Sequence, residues 1–132
     1  MKYKILEHPA DIKIQAFGKT KQALFLNAMK GMNAVLKSKS KTQNAKRKIS
    51  VKSLDLNSLL VDFLSEVLYL TQVNKEVYND VKFTKFNDKQ LEAELTGNKI
   101  ESFGEDIKGV TYHDLKIEKE NNQYQVTILF DI

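Results

Sequence analysis

The last two residues of the chain set two carboxylates side by side: Asp131 carries one on its side chain, and Ile132 carries the α-carboxylate. Terminal residues are usually frayed and polar. Here residues 124–132 read Tyr-Gln-Val-Thr-Ile-Leu-Phe-Asp-Ile, a strongly β-forming run. A buried or paired strand would hold both carboxylates in place. With a third acid beside them they would form an oxygen-rich site for a hard divalent cation.

Other groups with chemical potential are few. Asp11 follows a His8-Pro9 break, where an aspartate commonly caps its own backbone in a turn. Lys108 opens the run Lys-Gly-Val-Thr-Tyr-His, and a lysine in front of a strand is ordinarily a solvated charge. His8 and His113 are the only histidines, too few for a zinc site built mainly of imidazoles. With no cysteine, disulfides, thiolate metal sites and thiol nucleophiles are all absent. No serine sits on a G-x-S-x-G elbow, and the five glycines are scattered singly, without a dinucleotide or Walker loop.

The elements that must position these groups can be read from periodicity. Tyr3 to Glu7 is strand-like, and Pro9 forces the residue before it into extended geometry, so His8-Pro9 is a turn or bulge. Ile12, Ile14 and Ala16 alternate with Lys13 and Gln15 as a half-buried strand that Gly18 ends. Thr20 is an N-cap for a helix from Lys21 to Leu36, whose apolar face carries Leu24, Phe25, Ala28, Met32, Val35 and Leu36. Lys37 to Lys48 is polar, holds six basic residues and shows no period, so it reads as an exposed loop. It has no interleaved aromatics of the kind that stack single-stranded nucleic acid, which leaves phosphate contact as the second reading.

Ile49 and Val51 suggest a third strand, and Asp55 caps a second, more deeply buried helix through Leu56, Leu59, Leu60, Phe63, Leu64 and Val67. Val77 to Phe86 and Gln90 to Thr96 form a hairpin, followed by a loop or irregular edge over Gly97 to Ile107. Val110 and Tyr112, then Leu115 and Ile117, alternate on either side of a bulge near His113-Asp114. Asn121-Asn122 marks a hairpin turn into the last strand, Tyr124 to Ile132. Tyr124, Val126, Ile128, Phe130 and Ile132 share one face of that strand, while Thr127, Leu129 and Asp131 share the other. The order gives a single α+β domain over residues 1–132, with two helices packed on one face of a mainly antiparallel sheet.

Composition bounds the rest. An apolar fraction of 42% and a charged fraction of 29% are those of an ordinary globular domain. No apolar run is long enough to span a bilayer, and the N-terminus lacks the apolar region of a secretory signal, so a cytoplasmic protein with no membrane partner is expected. The net charge of +4 would ease approach to RNA or an acidic partner, but it is too mild to establish either.

Three pieces taken in order carry more information than any one of them. His8-Pro9-Ala10-Asp11-Ile12, with Ala16-Phe17-Gly18-Lys19-Thr20 leading into a helix, resembles the opening of the archease family. Lys108-Gly109-Val110-Thr111-Tyr112-His113 resembles that family's Lys-Ala-Val-Thr-Tyr-His signature, and Phe130-Asp131-Ile132 matches its terminus. Pro9 stands where threonine is usual and Gly109 where alanine is usual, and neither change removes an ionisable group.

The resemblance implies an SHS2-type strand-helix-strand-strand fold with an insertion. It implies an accessory protein, not an enzyme, for the GTP-dependent tRNA-splicing RNA ligase, which joins a 2′,3′-cyclic phosphate or 3′-phosphate end to a 5′-hydroxyl. Such a protein speeds guanylylation of the ligase and lets it turn over repeatedly; transient tRNA contact is a separate expectation, from the second reading of the basic segment. The family's metal site falls on Asp11, Asp131 and Ile132, the last through its carboxylate, and its functional lysine on Lys108. Oxygen-only ligands suit Ca²⁺, Mg²⁺ or Mn²⁺. Two alternatives stand beside this reading. One is a small metal-dependent hydrolase or nuclease, for which no general base is evident; the other is a chaperone or specificity factor for a tRNA cytosine methyltransferase.

Overall fold

The computed structural model describes residues 1–7 and 11–132, so the reading of His8-Pro9 as a turn or bulge lies outside the described residues. Ten elements follow in the order β1 (Tyr3–Glu7), β2 (Asp11–Gly18), α1 (Lys21–Leu36), β3 (Lys39–Lys52), α2 (Leu56–Asn74), β4 (Glu76–Phe86), β5 (Gln90–Ser102), β6 (Gly109–Val110), β7 (Glu118–Glu120) and β8 (Gln123–Asp131). The class is α+β, as expected. Instead of one sheet, however, the strands make two, both antiparallel. The first runs β1-β2-β8-β6 with β7 also pairing β8, and the second runs β3-β5-β4.

Both helices start and stop as their residues dictate. Thr20 Oγ1 accepts from the Ala23 amide at 3.0 Å, and Asp55 Oδ1 accepts from the Ser58 amide at 2.8 Å, each satisfying an orphan first-turn donor. Lys37 and Lys75 close the two helices in the left-handed region, at φ 50° and 54°. Helix α1 packs on β2 and β4, while α2 packs on β3, β4 and β6. One apolar core therefore joins both sheets. Phe25, Phe63, Phe83 and Phe86 meet in it through tilted and edge-on ring contacts.

The segment read as a loop from Lys37 to Lys48 is mostly strand. β3 pairs β5 from Lys39↔Ser102 to Lys52↔Gln90, with register shifts between Lys39 and Asn44. Ala45, Arg47, Ile49 and Val51 form its inward row. The alternation is concealed because one inward position is an arginine. Arg47 donates Nε to Glu76 Oε1 at 2.9 Å and a terminal nitrogen to Oε2 at 3.0 Å. The Tyr78 hydroxyl donates to Oε1 at 2.7 Å, and Lys99 Nζ lies 3.0 Å from Oε2. Glu76 is 1% exposed. Arg47's paired N–H donors, helped by Tyr78 and Lys99 against the opposing effect of burial, hold its carboxyl at about 2.

Two further boundaries shift. β5 continues to Ser102, where a loop or irregular edge was expected from Gly97. Gly97 permits this, because a Cβ there would run into the Val77 carbonyl and the Tyr78 backbone. The expected bulge at His113-Asp114 is a turn instead, with Asp114 at φ 53° and the Leu115 amide bonded to the Tyr112 carbonyl at 3.2 Å. Leu115 and Ile117 pack against the core outside any strand. Asn121 and Asn122 both take positive φ, 53° and 59°, and turn β7 into β8.

Candidate functional site

β8 is an interior strand, flanked by β2 on one side and by β6 and β7 on the other. Its register places Asp131 directly opposite Asp11 of β2 and Gly109 of β6. Ile12 and Phe130, the next pair along, are buried at 8% and 0%, so Asp11 and Asp131 share the outer face. Directly opposed residues have Cβ atoms about 5 Å apart, and like charges in that position repel. Asp131 is exposed and Asp11 half-buried. Asp11 Oδ1 is shielded from solvent, and no donor among the described residues reaches it.

Ile132 packs its side chain against the core, which fixes the backbone just beyond Asp131. On the far side, the Lys108 amide donates to the Asp131 carbonyl at 2.7 Å, and the Thr111 amide to the Leu129 carbonyl at 3.0 Å. Lys108 itself is exposed. Gly109 faces Asp131 with nothing within 4 Å of where a Cβ would stand, so the space beside the carboxylates is open. The structure thus gathers Asp11, Asp131, Ile132 and the Lys108 backbone at one end of the first sheet. Among the described residues no three His, Cys, Asp or Glu side chains cluster as a metal cage. The third oxygen donor expected from the sequence, the α-carboxylate, belongs to the residue that follows Asp131. Two acids forced together, one with an oxygen that lacks a donor, form a donor set that fits a hard cation.

Residues not evident from the sequence hold the Lys108 strand in place. Gln72 Nε2 donates to the Ile107 carbonyl at 2.8 Å, and the Ile117 amide donates to Asn57 Oδ1 at 2.9 Å. Between them the Tyr112 hydroxyl donates to Asp62 Oδ1, while Ser53 Oγ donates to Asp62 Oδ2 at 2.5 Å. The hydrogen bond to Asp62, reinforced by burial, pushes the Tyr112 phenol up to about 12. Asn57, Asp62 and Gln72 all lie on α2, beside its apolar stripe. Their spacing follows no motif, so only the fold reveals them. His113 pairs with Asp114 at 3.1 Å on the surface.

These features define a small two-sheet α+β protein whose chain end carries an acidic, oxygen-rich face beside a lysine strand. The model of the archease protein family matches residues 3–132. An archease of Methanosarcina barkeri is 37% identical over 139 residues, covering 98% of this chain and 95% of that protein. A crystal structure from Thermotoga maritima, described as an archease and possible chaperone, superposes with TM-score 0.74 at 22% identity, covering 98% and 96% of the two chains. A solution structure of protein 1598 from Methanobacterium thermoautotrophicum gives TM-score 0.69, also at 22% identity, covering 98% of each. The chain belongs to the archease family. Among the described residues no helix is long and apolar enough to cross a membrane.

Proposed function

We propose that this protein is an accessory factor that activates the GTP-dependent RNA ligase of tRNA splicing and RNA repair, acting in the cytoplasm without turnover of its own. It promotes guanylylation of the ligase and repeated joining of 3′-phosphate and 5′-hydroxyl ends. Family membership supports the reading, and one observation carries it: Asp11 and Asp131 are opposed in register, and Asp11 has a shielded oxygen with no donor among the described residues. Asp11, Asp131 and the Ile132 carboxylate would hold Ca²⁺, Mg²⁺ or Mn²⁺. When bound, the cation would supply positive charge beside the acids. The exposed Lys108 ammonium would present a further positive charge to the nucleotide phosphates. Such positioning is the main catalytic lever in phosphoryl and nucleotidyl transfer. Any contact with tRNA itself would be transient.

The test is ligation by a purified cognate ligase, counted in turnovers with and without this protein. Lys108→Ala and Asp11→Ala should keep the fold and lose the stimulation. If both variants support multiple turnover as well as the parent does, the reading fails. A second reading is a chaperone or specificity factor for a tRNA cytosine methyltransferase; of the two roles named there, only the word chaperone occurs in the description of the Thermotoga maritima structure. Methylation assays on the same samples discriminate: stimulation there, with none of ligation, selects it.

A further inference from the structure

We propose that Asp62 is a residue that positions Lys108, by clamping Tyr112 to helix α2 on the C-terminal side of β6, opposite the Gln72 bond to the Ile107 carbonyl. The inference rests on the role given above to Lys108. β6 is only two residues long, and Asp114 turns the chain away four residues after Val110. So short a strand cannot set its own register against β8, since few cross-strand pairs specify it. The register is supplied from the helix side. Asp62 is committed at both oxygens, receiving the Tyr112 hydroxyl on Oδ1 and the Ser53 hydroxyl on Oδ2.

Ser53 matters because it stops the carboxylate from rotating. The Ser53 amide is itself bonded to the Lys89 carbonyl at 2.8 Å, which ties the clamp to the β4–β5 turn. From Tyr112 the constraint passes through Thr111, bonded to Leu129, to the Gly109↔Asp131 pair and the Lys108 amide on Asp131. The Tyr112 ring is 58% exposed and contributes little as a packed hydrophobe. Its hydroxyl is the part of the side chain with a defined partner. A structural tyrosine that serves only the core would be buried.

The experiment compares Tyr112→Phe, Asp62→Ala and the double variant with the parent. Melting temperature, amide hydrogen exchange and ligase turnover are read on each. The expected result is faster exchange confined to the Lys108 and Thr111 amides. Ligase stimulation should fall roughly tenfold or more, because a displacement of about 1 Å costs that much in a positioned site. The double variant should be no worse than Asp62→Ala alone, since that variant already breaks the bond to Tyr112. A merely structural role would instead raise exchange across the domain in step with lost stability, and that outcome overturns the proposal. So do parent-like exchange at Lys108 in Tyr112→Phe and parent-like stimulation by both single variants. Lys108→Ala, run in parallel, separates the two ideas. If it stimulates normally, the role of Lys108 is wrong, and the exchange data alone decide whether Asp62 fixes the strand.

Discussion

Asp11 faces Asp131 across the β2–β8 ladder, like charge against like, at a point where the strands could have ended in anything neutral. Opposed like charges in a sheet destabilise by a few tenths to about 1 kcal/mol. Asp11→Asn or Asp131→Asn should therefore raise the melting temperature in chelator by a few degrees. Added Ca²⁺, Mn²⁺ or Mg²⁺ should stabilise the parent and leave both variants unmoved. Thermal melts with and without cation decide this, and an equal cation shift in all three proteins would remove the site.

The third donor can be tested separately. Extending the chain by a glycine after Ile132 converts the α-carboxylate to a neutral peptide and leaves both aspartates in place. Cation-induced stabilisation, measured calorimetrically, should weaken by at least tenfold in apparent affinity, since one of three charged oxygen donors is lost. Unchanged affinity would show that the terminal carboxylate is not a ligand.

Glu76 predicts how the fold responds to acid. Its folded-state carboxyl sits at about 2 against an ordinary 4.5, so the group contributes stability above 4.5. That contribution is lost as pH falls through the window from 4.5 to about 2, and it amounts to roughly 3 kcal/mol. Urea midpoints measured from pH 6 down to pH 2 should drop across this window. In Glu76→Gln the drop should be much shallower, from a lower starting stability. A parent curve that is flat below pH 4.5 contradicts the buried pairing.

Gly109 has open space on its Cβ side, and its φ is not positive. Gly109→Ala should stabilise the domain by about 0.4–1 kcal/mol, by restricting the unfolded chain without a clash. Chemical denaturation will show it. A loss of stability would mean that the space beside Asp131 is occupied.

The basic run of β3 is less available to RNA than its composition suggests. Lys48 and Lys82 flank Glu94 across the ladder, and Lys46 lies 3.6 Å from the same carboxylate. tRNA binding should therefore show a shallow log–log salt dependence, shallower than about −2, because few counterions are released. A steep slope abolished by Lys46→Glu and Lys48→Glu would point to a true phosphate-binding face.

Much of this was legible in the residues. Helix α1 runs over Lys21–Leu36 as its period required, and Thr20 and Asp55 cap where their hydroxyl and carboxylate could. Both were local signals. β3 was missed because its inward row contains Arg47, a charge that only Glu76, far along the chain, makes sense of. The split into two sheets was invisible for a related reason, since which strand pairs with which depends on partners that no local pattern names. The family likeness singled out Asp11, Asp131, Ile132 and Lys108 as an expectation, and the β2–β8 register with the Lys108 amide bond explains why they lie at one end of the first sheet. Asp62 left no trace in the sequence, because a lone acid on a helix flank looks like a solvated charge until Tyr112 is seen on it.

β8 joins β2 across nearly the whole length of the chain, and it is an interior strand. Contacts so distant in sequence form late and slowly, because the ends of a long loop must first be brought together. A nascent or clipped chain lacking its last strand would leave β2 with an unsatisfied edge and Asp11 with no opposite number. The pairing of Asp11 with Asp131 thus exists only once β8 has docked against β2.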